Sequence, residues 1–292
     1  MPFTGKTEFG KVLAAKLRSQ LVVDGLFRRE YKGDALGVAV KTPMTTDDTL
    51  SADYDGANIA NNTVTYLNNT YVTTTINHHP FVNKYIPGFN LTTASWDAKA
   101  GAVESAAYSV AKKMNSDAIT VLINGAQGKD EAGTAFASTD PRYGLTGHTV
   151  AYATDFYTTL AKMGGKLTDA GVPMEDRYAI VNGDGQALVL ASPLAVKYGQ
   201  DEQAINGGVI AELCGFKIKV SNLVSGTISS KKILAVCGHP DFGINPSDYE
   251  EEPTLVSGNF SQNTVGGVFV KALAHYAYDI SDPRAFGCIT EA

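Results

Sequence analysis

Cysteine is scarce: Cys214, Cys237 and Cys288 are the only thiols in 292 residues, odd in number and without a Cys-x-x-Cys pair. That excludes a disulfide-built secreted scaffold and gives no zinc-ribbon spacing, so the thiols read as buried and free in a reducing compartment. Long apolar runs are missing too. Near the start, LAAKLRSQLVVDGLF is interrupted by Lys16, Arg18 and Asp24, which leaves no signal-peptide core. No stretch approaches the roughly 20 apolar residues of a membrane span. The chain therefore reads as cytosolic, with no membrane partner, and the sequons at Asn61, Asn68, Asn90 and Asn259 carry no glycosylation reading. Basic residues are outnumbered, 24 against 30 acidic, for a net charge of −6. A global electrostatic attraction to nucleic acid is thereby excluded, while a local basic surface stays open.

Catalytic signatures are absent as well. There is no GxSxG elbow, no HExxH and no complete phosphate loop. Gly5-Lys6-Thr7 lacks the upstream glycine and preceding strand of such a loop. Asp53-x-Asp55-Gly56 lacks the bidentate Glu that closes a calcium loop. His78-His79 would point to opposite faces of a strand, which suits a structural role better than zinc ligation. His239-Pro240-Asp241 reads as a surface turn rather than half of an acid–base pair. Gly183-Asp184-Gly185, between a strand and a short helix, is the best anion-binding candidate, but it lacks the third glycine of the dinucleotide fingerprint. No residue is assigned as catalytic, cofactor-binding or metal-ligating, and no cofactor is expected.

What the sequence does contain is long and extended. In Ser95–Ala126, Trp96, Ala100, Val103, Ala107, Val110, Met114, Ala118 and Val121 recur at helical spacing in one stripe, with Glu104, Lys112, Lys113 and Asn115 off it. Ser95 is the expected N-cap, and Asn124-Gly125 the expected stop in a left-handed residue. Such a helix runs roughly 40 Å and reads as a strut. Before it, Phe9, Val12, Leu13, Leu17 and Leu21 mark an amphipathic helix in an N-terminal arm. From Gly33 to Asn90, Thr-, Val- and Tyr-rich segments with Asn-Asn pairs predict a long β-hairpin with a polar tip. So large an excursion suits a chain that a neighbouring subunit covers.

After the strut, Phe156, Leu160, Met163 and Leu167 share one face of a second helix that ends before Pro173. A strand over 176–181, a short helix, a half-buried strand at Phe216-Lys217-Ile218-Lys219-Val220 and a strand in KKILAVCGHP follow. The acidic run Asp248 to Glu252 reads as a solvated tip. One or two long strands close the chain, broken at Gly266-Gly267 and Asp282-Pro283.

The order of these pieces resembles the major capsid proteins of tailed bacteriophages, which share the Hong Kong 97-type fold. The residues that carry the likeness are Val172-Pro173, Arg177-Tyr178-Ala179-Ile180-Val181 and Gly215-Phe216-Lys217-Ile218-Lys219-Val220-Ser221-Asn222. VTTTINHHPFVNKYIPGFN resembles the return limb of the family's extended loop. The resemblance implies an α+β fold with an N-terminal arm (1–34), an extended β-hairpin loop (35–92), a peripheral domain with the long spine helix (93–147 and 236–292) and an axial domain (148–235). It implies no enzyme but a self-assembling icosahedral shell of pentamers and hexamers around double-stranded DNA, found in the virion and assembled in the host cytoplasm. A scaffolding protein and a portal are the implied partners, with a decoration protein as a further one, and contact with packaged DNA is expected to be weak and non-specific. Covalent cross-linking is not carried over, since nothing identifies the Lys, Asn and Glu it needs. Two alternatives stand beside it: an encapsulin-type compartment shell with the same fold, and a small α/β enzyme holding a phosphate at Gly183–Gly185.

Overall fold

A computed structural model describes residues 21–28, 39–44, 70–87, 98–192, 212–257 and 267–292. The N-terminal helix, the hairpin tip, Asp53–Gly56, Gly5–Thr7, the four sequons and the expected cap at Ser95 lie outside those residues.

The strut is α1, Ala98–Gly125, 28 residues long. Its two halves meet different surroundings. In the first half the apolar stripe is narrow. Ala106 packs with Ile86 and Val270, and Val110, only 2% exposed, packs with Ala272 and Ala274. In the second half Ala118, Ile119, Val121 and Leu122 are all buried, so the buried face is wider where the helix enters the main core. Glu104, Lys112 and Lys113 are exposed as expected. Asn115 is not: it is 8% exposed and turned into the structure. The helix ends at Gly125, but not in a left-handed residue. A Cβ at Gly125 would meet Ile280 Cδ1 at 2.3 Å, and the positive φ falls later, at Gly128.

The first half of α1 lies on a three-stranded antiparallel sheet ordered β11-β12-β3, with β3 at Phe81–Pro87, β11 at Ser247–Ser257 and β12 at Gly267–Tyr276. Strict alternation along β12 buries Val268, Val270, Ala272, Ala274 and Tyr276 against the helix. The acidic run 248–252 belongs to β11 rather than to a tip. Its pairing with β12 shifts register twice, between Tyr249 and Glu251 and between Glu251 and Thr254. The irregularity is the price of threading a run with poor strand propensity beside a well-formed neighbour. The hairpin is present at its stem, where β1 (Ala39–Met44) pairs antiparallel with β2 (Thr70–Thr75).

The second half of α1 meets a seven-stranded mixed sheet. Along its main path the order is β4 (His148–Ala151), β14 (Gly287–Thr290), β9 (Lys231–Gly238), β5 (Tyr178–Val181), β7 (Phe216–Val220) and β6 (Glu212–Leu213). The short β8 (Thr227–Ile228) pairs β9. β5 and β7 are parallel, as are β4 and β14, while β9 runs antiparallel to both β5 and β14. The strands β5 and β14 are buried at every residue, as befits a sheet covered on both faces. Helix α2, Phe156–Asp169, covers one side through Phe156, Leu160, Met163 and Leu167, the face its spacing predicts. Helix α3, Gly183–Ala191, follows β5. A small antiparallel pair, β10 (Gly243–Ile244) and β13 (Asp279–Ile280), forms a separate sheet with Ile280 against the end of α1. Cys237 and Cys288 are buried free thiols and Cys214 is half-buried; burial raises the pKa of all three, that of Cys288 to about 12.

Candidate assembly framework

Three polar clusters, all close to α1, hold the described root of the arm, the stem of the hairpin and the residues leading into β3.

The first cluster fixes the arm. Asn115 Oδ1 accepts from the backbone N–H groups of Val22 (2.8 Å) and Val23 (3.0 Å), and its Nδ2 donates to Ala111 O. From the other side, Lys219 Nζ donates to the carbonyls of Val22 (3.1 Å) and Asp24 (2.5 Å). Leu26 and Phe27 then bury their side chains, with Phe27 against Tyr278. One polar residue of α1 and one lysine of β7 thus satisfy a stretch of backbone that has no strand partner of its own.

The second cluster fixes the hairpin. Thr74 of β2 donates to Asp279 Oδ2 at 3.1 Å, and Asp279 pairs with Arg142. Arg142, 4% exposed, also binds Asp140 through Nε (2.9 Å) and Nη2 (2.8 Å), donates to Ile280 O, and lies 4.1 Å from the Phe136 ring centroid. Burial works against its charge, but Asp140 and Asp279 more than offset that and hold its pKa above the ordinary value. The third cluster lies below the return limb. His78 stacks on Tyr276 and hydrogen-bonds Glu131, and Tyr276 Oη donates to Asp117 Oδ2 at 2.7 Å. Asp117 also accepts from Lys113 at 2.6 Å.

The residues that carry the family likeness have equally definite tasks. Arg177 closes the C-terminal end of α2: its guanidinium donates to the carbonyls of Gly164, Val172 and Pro173 and to Thr168 Oγ1. A cation there also suits the negative end of the helix dipole. Asp155 caps the other end, accepting from Thr158 N, and Ser192 donates to it. Gly215 takes φ +75 in the turn between β6 and β7, where a side chain is strained.

The remaining candidates find structural explanations. In Gly183-Asp184-Gly185 the Asn182 side chain caps Gly185 N at 2.7 Å, and Asp184 pairs with Lys232. A Cβ on Gly185 would meet Leu234 O at 2.6 Å, so this glycine permits close approach to β9. His239 is buried, not on a surface turn; its Nδ1 accepts from Asp241 N and caps the short 3-10 helix Pro240–Phe242. His78 and His79 do face opposite ways. Among the described residues no group of three or more His, Cys, Asp or Glu is placed to hold a metal ion, and no helix is long and apolar enough to cross a membrane. Sequence reasoning misses Asn115, Asp117, Arg142 and Asp279. A usable signal exists for the two on α1: Asn and Asp are disfavoured in a helix interior unless the side chain has a task.

The architecture is that of phage capsid subunits, the α+β fold the resemblance implies. A structure of Mycobacterium phage Che8 matches with a TM-score of 0.74 at 18% identity, covering 99% of this chain and 97% of that one. The capsid structure of cyanophage P-SCSP1u matches with 0.74 at 13%, covering 99% and 93%. The mature capsid of bacteriophage PhiM1 matches with 0.67 at 11%, covering 99% and 92%. No protein-family model matches the sequence, and no curated relative matches it.

Proposed function

We propose that this chain is the major capsid protein of a tailed phage, a structural protein that self-assembles into an icosahedral shell around double-stranded DNA. The observation that carries this reading is the likeness to phage capsid structures over 99% of the chain and more than nine-tenths of theirs. The physical design agrees with it. Among the described residues the root of the arm is held on α1 by Asn115 and the stem of the hairpin on β13 by Asp279, and large shared interfaces between copies are where the pieces they carry would bury their remaining surface. On this reading, 148–235 forms the domain around the symmetry axes, and 93–147 with 236–292 forms the peripheral one. Its location is the virion, after assembly in the bacterial cytoplasm. A scaffolding protein and a portal guide closure, a decoration protein is a further partner, and the acidic balance keeps contact with DNA weak.

Electron microscopy of the purified protein, alone and co-expressed with its scaffold, tests the proposal. Shells, rings or tubes are expected. A persistent monomer under all conditions overturns it. A closed compartment loaded with a cargo enzyme instead of DNA favours the encapsulin-type alternative, which the likeness to phage capsids does not favour. Nucleotide or sugar-phosphate binding lost in Gly185→Val favours the enzyme alternative.

A further inference from the structure

The sheet formed by β11, β12 and β3 has one face against α1 and one turned away. Along β12 the second face carries Phe269, Lys271, Leu273 and His275. The pair Phe81↔Leu273 and the bridge His78↔Tyr276 set the register, which brings His79, in the link before β3, next to His275. Their Nδ1 atoms face each other at 2.5 Å, with ring centroids 4.7 Å apart and planes at 67°. His79 is exposed and His275 half-buried, so the pair is open to solvent. Asp248 is the register partner of His275 on β11.

Two imidazole nitrogens pointed at one spot have two uses. One ring can donate to the other, provided a single proton is shared between them. Alternatively, a cation takes the proton's place and both lone pairs become ligands. We propose the second: His79 and His275 form a two-histidine chelate for a first-row divalent ion of the zinc, nickel or copper class. Imidazole is the ligand these ions take readily and magnesium and calcium refuse. With metal–nitrogen bonds of about 2.0–2.1 Å, a tetrahedral ion sets its ligand nitrogens roughly 3.3 Å apart. The gap between the rings then opens by under ~1 Å, which rotation of the exposed His79 side chain supplies. With two protein nitrogens in place, water fills the other positions.

The ligands are 196 residues apart in sequence. The unfolded chain does not bring them together, and binding therefore favours the folded state. The ion ties the link before β3 to β12 on the side opposite the His78–Glu131 contact, clamping an edge strand from both faces.

The test uses untagged, metal-stripped full-length protein melted with zinc, nickel, copper or magnesium. At an ion concentration a hundredfold above the dissociation constant, the melting temperature is expected to rise by about 4–8 °C with the first three and not with magnesium. His79→Asn and His275→Asn should each abolish the rise while leaving the metal-free circular dichroism unchanged. Copper bound to the wild-type protein should show hyperfine coupling to two nitrogens in its electron paramagnetic resonance spectrum, a readout that needs no variant to fold. No rise with any of the three ions, a rise that survives either substitution, or a copper spectrum without two nitrogen ligands overturns the proposal.

Discussion

Replacing Asn115 with alanine should release the root of the arm and leave the rest of the fold intact. The side chain makes two bonds that matter, to the amides of Val22 and Val23. Val23 N is buried, so losing its acceptor costs the desolvation of an orphaned donor, about 1–3 kcal/mol. Val22 N is partly buried beside a cleft of about 240 Å³ lined by Val23, Phe27, Met114, Asn115 and Tyr278. Water can reach it there, and about 0.5–1.5 kcal/mol is the appropriate loss. The bond from Nδ2 to Ala111 O is local to the helix, and alanine returns up to ~0.7 kcal/mol of helix propensity. The balance is about 1–4 kcal/mol, felt mainly by residues 21–28. Hydrogen exchange read by mass spectrometry on the purified protein should show peptides spanning this segment exchanging about 5- to 1,000-fold faster, with peptides from α2 unchanged. Unaltered protection of 21–28 would refute the reasoning, and so would an equal loss across the whole chain.

Three further outcomes are expected. Val110→Asp places an unpaired charge between α1 and β12, where Ala272 and Ala274 leave no partner within the apolar contact, and should cost about 3 kcal/mol or more in denaturant unfolding. Arg177→Lys keeps the charge but not the fork that reaches three carbonyls and a hydroxyl, so chemical denaturation should show a loss of about 2–4 kcal/mol. Burial, followed by the nearby Lys166, lowers the pKa of His148 below its usual value. The unfolded chain therefore takes up that proton first: the stability from a neutral His148 is complete above about pH 6.5 and declines as pH falls below it. His148→Gln should flatten the melting temperature between about pH 6.5 and 5, and an unchanged slope would count against this assignment.

Periodicity made the helices legible. Phe156, Leu160, Met163 and Leu167 line the buried face of α2 because their packing agrees with the 3.6-residue repeat. The same rule misplaced Asn115, since polarity alone assigns a residue to solvent, while the fold needed an acceptor for two backbone amides. Asp117 is buried for a related reason, beneath the Tyr276 hydroxyl. The run 248–252 looks like a tip by composition, yet pairing with β12, a non-local event, makes it strand. Arg142 stood in a loop of small and polar residues, and its importance comes from Asp279, a residue far along the chain that no local pattern connects to it. The Gly183–Gly185 turn shows the converse, a suggestive local motif whose glycine answers to the proximity of Leu234 O.

The position of β14 has a consequence for the timing of synthesis. This strand lies between β4 and β9, so both wait for a partner that is translated long after either of them. Until residues 287–290 emerge from the ribosome, the nascent chain carries two open strand edges, each a template for pairing with the wrong molecule. Chains made in a rapid burst reach high concentration in that vulnerable interval. Slower translation or a lower temperature should thus raise the yield of soluble protein without any change in its final stability.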